Sequence, residues 1–171
     1  MFVLVQGRVK AYSSDVDGRE LTYGTIDAGD YFGEMSLDGG PRSASVITLE
    51  PCVCAVIDRA EVRAYLAEEP DFAMTLINEV IRRARAATES ARSMALLNVY
   101  GRVVALLESY GGPAKAGAPV LIFPVTHQDL ASRVGASREM VSRLLKDLEK
   151  GEYVKLGVKR ITLLKKLPAR W

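Results

Sequence analysis

Two groups of side chains in this sequence have the types and spacing to do chemistry, and in both it is the chemistry of binding. The first lies in FGEMSLDGGPRSASV, residues 32–46. Glu34 is a lone carboxylate after Gly33, where one helical turn could begin, and Arg42 and Ser43 follow a Gly-Gly-Pro bend. The free N–H groups of one turn, a guanidinium and a hydroxyl together suit a phosphate, and the carboxylate could accept a sugar hydroxyl. A surface loop closed by a local Glu34–Arg42 ion pair fits the same spacing. The second group lies in VTHQDLASRVGASREMVSRLLKDLEK, residues 125–150, where Arg138, Glu139, Ser142, Arg143 and Lys146 fall off an apolar helical stripe. A helix with its N-terminal residues in a DNA major groove reads bases with such side chains: Arg is bidentate to guanine, and Glu accepts from the cytosine amine. Ordinary solvated charges are the plainer alternative. The single histidine, His127, falls in the first turn of the opening helix, as a phosphate contact or a surface residue. With no nucleophile–base pair and no metal-ligand set, the chain reads as a binding protein and not as an enzyme.

These residues need scaffolds, and the local signals supply them. Thr126 with Asp129 three places on is a variant capping box that starts a helix, which Gly135 ends. Ser137 caps the next helix, whose expected buried stripe is Met140, Val141, Leu144, Leu145 and Leu148. Two short helices joined by a tight turn form a helix-turn-helix. After Gly151, residues 153–155 and 160–164 are expected to form a two-stranded wing around Gly157, with Lys155, Lys159 and Arg160 near the phosphate backbone. Ahead of the module, Gly111–Pro119 reads as a loop and Val120–Phe123 as a short strand.

Residues 1–57 read as short strands with turn punctuation, notably Asp17-Gly18 and Ala28-Gly29-Asp30, in a sandwich, roll or barrel. A short helix, 59–66, is interrupted at Pro70. From Asp71 to about Leu97, Ala73, Ile77, Val80, Ala84, Ala87, Ala91 and Met94 keep spacings of four and three, a heptad seam. A parallel homodimer is favoured, against one helix packing on its own domain. An interruption at 98–101 precedes a shorter helix at 103–107, and the domain boundary is placed near Asn98.

The net charge of +2 is unevenly spread. Residues 125–171 carry 11 Lys+Arg against 5 Asp+Glu, and the remainder 12 against 16, so the basic module is the one suited to a polyanion. The basic run Arg82–Arg85 lies inside the long helical pattern and is no polybasic tail. Cys52 and Cys54 are expected as reduced, buried thiols of a cytoplasmic protein. No apolar run is long enough to span a bilayer, and no secretory signal opens the sequence.

The order of these pieces resembles the cyclic-AMP receptor protein (Crp/Fnr) superfamily of bacterial transcription regulators. FGEMSL…PRSASV is similar to the family's phosphate-binding cassette and ASREMVSRLLKDLEK to its recognition helix; VQGRVK, DAGDYFGE and NVYGRV also fit. The resemblance covers essentially the whole chain, which begins at what looks like the middle of the family's β-roll. It implies an α+β fold: a partial cyclic-nucleotide-binding-type β-roll with a dimerisation helix over residues 1–97, and a winged helix-turn-helix over 98–171. In nucleotide-binding members Glu34 would hold the ribose 2′-hydroxyl and Arg42 the cyclic phosphate, supported by Gly33 and Ser43. Thr88 is the polar candidate to reach the base across the dimer interface. Arg138, Glu139 and Arg143 match the base-reading positions, with Thr126, Ser137, Ser142 and Lys159 completing the expected DNA-facing set. The implied partners are a palindromic double-stranded site resembling TGTGA half-sites, a second copy of the chain and RNA polymerase, with no membrane. No cofactor is required; the implied effector is a cyclic nucleotide, cyclic AMP ahead of cyclic di-GMP. The alternative is a degenerate sensor that leaves DNA binding independent of a small ligand, or answers to redox or a protein partner.

Overall fold

The computed structural model describes residues 1–111, 120–122 and 125–168. Its contacts divide the chain into two compact units, one of residues 1–15 and 22–89 and the other of residues 16–21 and 90–171.

In the first unit, the strands are β1 (Phe2–Gln6), β2 (Arg8–Ser14), β3 (Glu20–Asp27), β4 (Tyr31–Phe32), β5 (Ser45–Thr48) and β6 (Val53–Val56). They form two three-stranded sheets, ordered β4-β1-β6 and β3-β2-β5. The turn glycines Gly18 and Gly29 fall where the sequence places them, and with Gly7 they have positive φ, which costs a residue without Cβ little. Phe2 pairs with Phe32 in antiparallel register, and their rings stack with centroids 5.1 Å apart. The core of this unit is thin. Among the described residues its buried apolar side chains are Met1, Leu4, Val9 and Val62. The outermost strands β5 and β6 are exposed along their whole lengths, and Val53 and Val56 are 53% and 70% exposed. Cys52 precedes β6 and is half-buried, while Cys54 within it is exposed, so the expectation of buried thiols does not hold. The reason is that β6 lies at a sheet edge and has a neighbour on one side only.

Helix α1 (Arg59–Glu68) starts from a full capping box between Asp58 and Glu61. Helix α2 (Pro70–Leu96) runs 27 residues with none buried. Pro70 begins this helix, because a proline lacks only an N–H that the first turn would leave unpaired anyway. Helix α3 (Val99–Gly111) is longer than the sequence pattern indicates. The break is confined to Leu97 and Asn98, since the Asn98 side chain accepts from Gly101 N–H at 2.8 Å and caps a helix that includes Gly101.

In the second unit, α4 (His127–Val134) and α5 (Arg138–Lys150) are joined through Gly135 in the left-handed conformation. Strands β8 (Val154–Gly157) and β9 (Arg160–Leu163) form the wing hairpin, and β7 (Val120–Ile122) adds a third strand beside β9 where a two-stranded wing was expected. Phe123 and residues 112–119 of the expected strand and loop lie outside the described residues. This unit holds the rich core: Val103 and Leu107 of α3, Leu130 and Val134 of α4, Val141, Leu145 and Leu148 of α5, and Ile161 and Leu163 of β9. Met140, expected in the stripe, is 42% exposed and Leu144 only partly buried. The buried face of α5 is narrower than the pattern implied: Val141, Leu145 and Leu148 form its centre, and Met140 and Leu144, one turn apart, lie on its flank.

Candidate effector site and DNA-reading surface

The first candidate site is built on a backbone that only glycine accepts. Gly33 has φ +76°, and a Cβ there would lie 2.9 Å from Arg42 Nη1 and 3.2 Å from the Phe2 ring. It opens a one-turn 3₁₀ helix, Glu34–Asp38, which Gly39 closes, also at positive φ. Around that turn Arg42 folds back. Its Nη1 donates to Ser36 Oγ at 2.7 Å and to the Gly33 carbonyl at 3.3 Å, and the guanidinium lies 5.6 Å from the Phe2 ring centroid. Ser43 donates to Met35 Sδ at 3.2 Å. Arg42 is thus held by neutral groups, and among the described residues no carboxylate compensates its charge.

Glu34 is not its partner. The Glu34 side chain is 9% exposed, and Arg83 Nη1 of α2 sits 2.9 Å from its carboxylate. The local Glu34–Arg42 pair that the spacing allows does not form, because the turn sends the two side chains in different directions. Arg83 makes a hub: Nη2 donates to the Tyr31 carbonyl at 2.7 Å, Nε to Glu79 at 2.8 Å, and the guanidinium lies over the Tyr31 ring at 5.1 Å. Arg82 also grips Glu79, and that hydrogen bond is the largest of the effects that hold the Glu79 carboxyl down at about 2. The Tyr31 hydroxyl is buried without a hydrogen-bond partner among the described residues, and burial raises its pKa. Sequence reading missed Arg83, Ser36 and Tyr31. Arg82–Arg85 was visible only as a basic run, and nothing local showed which of its members faces the strands. Thr88 donates to the Ala84 carbonyl at 3.0 Å, and no hydrogen bond joins it to the cassette among the described residues. An apolar hollow of about 510 Å³, lined by Val3, Val56, Tyr65 and Phe72 among others, includes none of Gly33, Glu34, Arg42 or Ser43.

The second candidate site is the outer face of α5. Ser137 caps the helix, its Oγ accepting from Met140 N–H at 3.2 Å. Arg138, Glu139 and Arg143 are exposed, and none is in an ion pair among the described residues. Thr126 caps α4 from both sides: its Oγ1 accepts from Asp129 N–H at 3.0 Å and donates to Asp129 Oδ2 at 2.6 Å, while its own N–H reaches the same oxygen. Its hydroxyl is committed to the fold. Lys159 stands at the wing tip with φ +50°, exposed, and its carbonyl accepts from Val125 N–H at 3.1 Å. His127 does not simply face solvent: its Nδ1 lies 2.8 Å from Ser142 Oγ, half-buried between α4 and α5. Burial, then the charges of Arg138 and Lys146, lower its pKa below the ordinary histidine value.

Comparison with known proteins finds relatives for both parts of the chain. Residues 1–69 match the cyclic nucleotide-binding domain family, and residues 101–167 match the Crp-like helix-turn-helix domain family. The chain is 31% identical over 167 residues to the cAMP-activated global transcriptional regulator CRP of Pasteurella multocida, covering 95% of this chain and 80% of that one. The chain belongs to the Crp/Fnr family of transcription regulators. Another relative in this family, the cAMP-activated global regulator Vfr of Pseudomonas aeruginosa, is 35% identical over 156 residues, which cover 87% of this chain and 73% of the relative. Among solved structures, the c-di-GMP responsive global regulator CLP of Xanthomonas campestris superposes with a TM-score of 0.80 at 26% identity, covering 97% of this chain and 84% of that one. As a Crp/Fnr-family member the chain is an α+β transcription regulator with a cyclic nucleotide-binding domain and a DNA-binding helix-turn-helix. No described helix is long and apolar enough to cross a membrane.

Proposed function

We propose that this regulator works as a homodimer on a palindromic DNA site and is gated by a cyclic nucleotide bound at the Gly33–Ser43 cassette. Its sensor would span residues 1–97 and its DNA-reading module 98–171. The observation that carries the reading is Arg42: a guanidinium braced by Ser36 Oγ and a backbone carbonyl, with its charge uncompensated by any described carboxylate, packed against a positive-φ glycine whose missing Cβ leaves it room. In this reading Arg42 takes the phosphate, Ser43 and Gly33 support it, and Glu34 accepts a sugar hydroxyl. Thr88 would contact the base from the second copy. Arg138, Glu139, Ser142 and Arg143 would read a site resembling TGTGA, with Ser137 and Lys159 on phosphates and Thr126 securing the helix end near them. RNA polymerase is the proposed downstream partner. Relatives named as cAMP-activated make cyclic AMP the first effector to test, and a neighbour named as c-di-GMP responsive makes cyclic di-GMP the second.

The test is affinity for a selected DNA duplex with and without each nucleotide, together with the melting temperature, which specific binding must raise. Equal DNA affinity and equal melting temperature in every condition would remove the nucleotide from the reading. One observation favours a second reading, in which the sensor does not bind a nucleotide. Glu34 is nearly buried and already neutralised by Arg83, so a sugar hydroxyl must compete with an ion pair. That reading predicts DNA binding with no response to nucleotide.

A further inference from the structure

The pair His127–Ser142 has no part in the reading so far beyond Ser142's place on the recognition face. His127 is the first residue of α4 and Ser142 sits in the middle of α5, so the contact crosses the helix-turn-helix. At 2.8 Å it is a full hydrogen bond between side chains, in a chain whose other α4 and α5 side-chain bonds are mostly caps within one helix. The start of α4 cannot drift, because the Thr126–Asp129 capping box pins it. Ser142 lies one turn after Arg138 and one turn before Lys146, beside Arg143, on the face whose charges point away from the core. A serine hydroxyl on such a face ordinarily rotates among three rotamers, and its proton follows whichever acceptor is nearest. The half-buried ring removes that freedom. The ring is neutral near neutral pH, since burial and the charges of Arg138 and Lys146 disfavour its cation. A neutral imidazole offers one donor and one acceptor, so its bond to Oγ fixes what the hydroxyl has left to offer DNA.

We infer that His127 is a positioning residue of the DNA-reading surface, locking the Ser142 hydroxyl in one orientation so that it contacts the target as a preset group. This rests on the proposed role of the α5 face. It assigns His127 a place in the fold where a phosphate contact or a plain surface residue was expected.

The experiment uses the full chain and a duplex selected by the wild-type protein from a random library, with an unselected duplex of equal length as control, each with and without cyclic AMP. The variants are His127→Ala, Ser142→Ala, the double variant and His127→Gln, with Arg143→Ala as a control for the face itself. Each single alanine variant should weaken selected-duplex binding about fivefold, the loss of one ordinary hydrogen bond, while unselected-duplex binding changes little. The double variant should bind no worse than either single one, because both remove the same interaction. His127→Gln, which keeps a donor and an acceptor, should recover part of the loss. Melting temperatures close to wild type would confirm that each variant is folded. Losses that multiply in the double variant, equal losses on both duplexes, or no recovery with Gln would each overturn the inference. If Arg143→Ala loses selectivity while His127→Ala does not, only the positioning role fails. If Arg143→Ala also leaves selectivity unchanged, the reading of the α5 face fails and the inference falls with it.

Discussion

At the scale of single residues, the site is decided by which charges are compensated. Arg42 and Glu34 stand eight positions apart in one loop, yet the structure neutralises the acid with Arg83 and, among the described residues, gives the base no acid. Arg83→Met should therefore cost about 1–3 kcal/mol of stability, because it strands a nearly buried carboxylate. Denaturant unfolding checks this, and adding Glu34→Gln should return much of the loss; an unchanged midpoint in the single variant would show the pair to be idle. His127 gives a second residue-scale expectation. Its pKa is lowered in the folded state, so the unfolded chain binds the proton more readily. The stability it permits is complete above the ordinary value of 6.5 and is lost as the pH falls through the folded value. The chain has no other histidine, so the slope of stability against pH just below neutrality reports on this ring. His127→Gln should flatten that slope, and an undiminished slope in the variant would assign it elsewhere.

Secondary-structure elements owe their positions here to caps and to edges. The 3₁₀ turn that carries Glu34 depends on the positive φ of Gly33 and on the space that Arg42 then fills. Gly33→Ala combines a left-handed backbone with a 2.9 Å approach to Arg42, and should cost about 1–2 kcal/mol in backbone strain alone. Its thermal unfolding should shift down, and any nucleotide-induced rise in melting temperature should shrink with it. Strands β5 and β6 make the opposite case, since each is the outermost strand of its sheet and bares apolar side chains to water. Exposed edges with this composition recruit other edges. Val53→Lys with Val56→Thr should lower aggregation at high protein concentration, as followed by light scattering, with little change in the thermal midpoint. Equal scattering from variant and parent would place the sticky surface elsewhere.

For the whole molecule, the two units differ in how they are held. One has a small core and charged hubs, while the other has a closed apolar core under a basic exterior. Helix α2 leaves Ile77, Val80 and Met94 of its seam 47%, 50% and 40% exposed. In the proposed homodimer a second copy of the chain would cover that stripe, and a two-fold pair of α5 helices would then match a palindrome. Ile77→Glu with Val80→Glu should shift the sedimentation coefficient to that of a monomer. Affinity for the palindromic duplex should fall on the order of tenfold or more, while a single half-site is bound as before. A double variant that still sediments as a dimer would put the interface on another surface.

Much of this architecture was legible in the residues themselves. The Thr126–Asp129 box, the Gly135 stop, the Ser137 cap and the Val141–Leu145–Leu148 stripe are local signals, because caps and helical periodicity act within a few residues. The same holds for the turn glycines of the first unit and for the 3₁₀ turn at Glu34. Asn98 as a cap is an equally local signal, masked by Gly101, a residue type that suggests a break. Local sequence could not determine who answers Glu34, since Arg83 is 49 positions away and only the packing of α2 on the strands brings it there. Nor could it show that His127 meets Ser142, that Cys54 lies on an open edge, or that β7 joins the wing. Each is a meeting of distant segments, set by how the elements stack and not by any pattern within one of them.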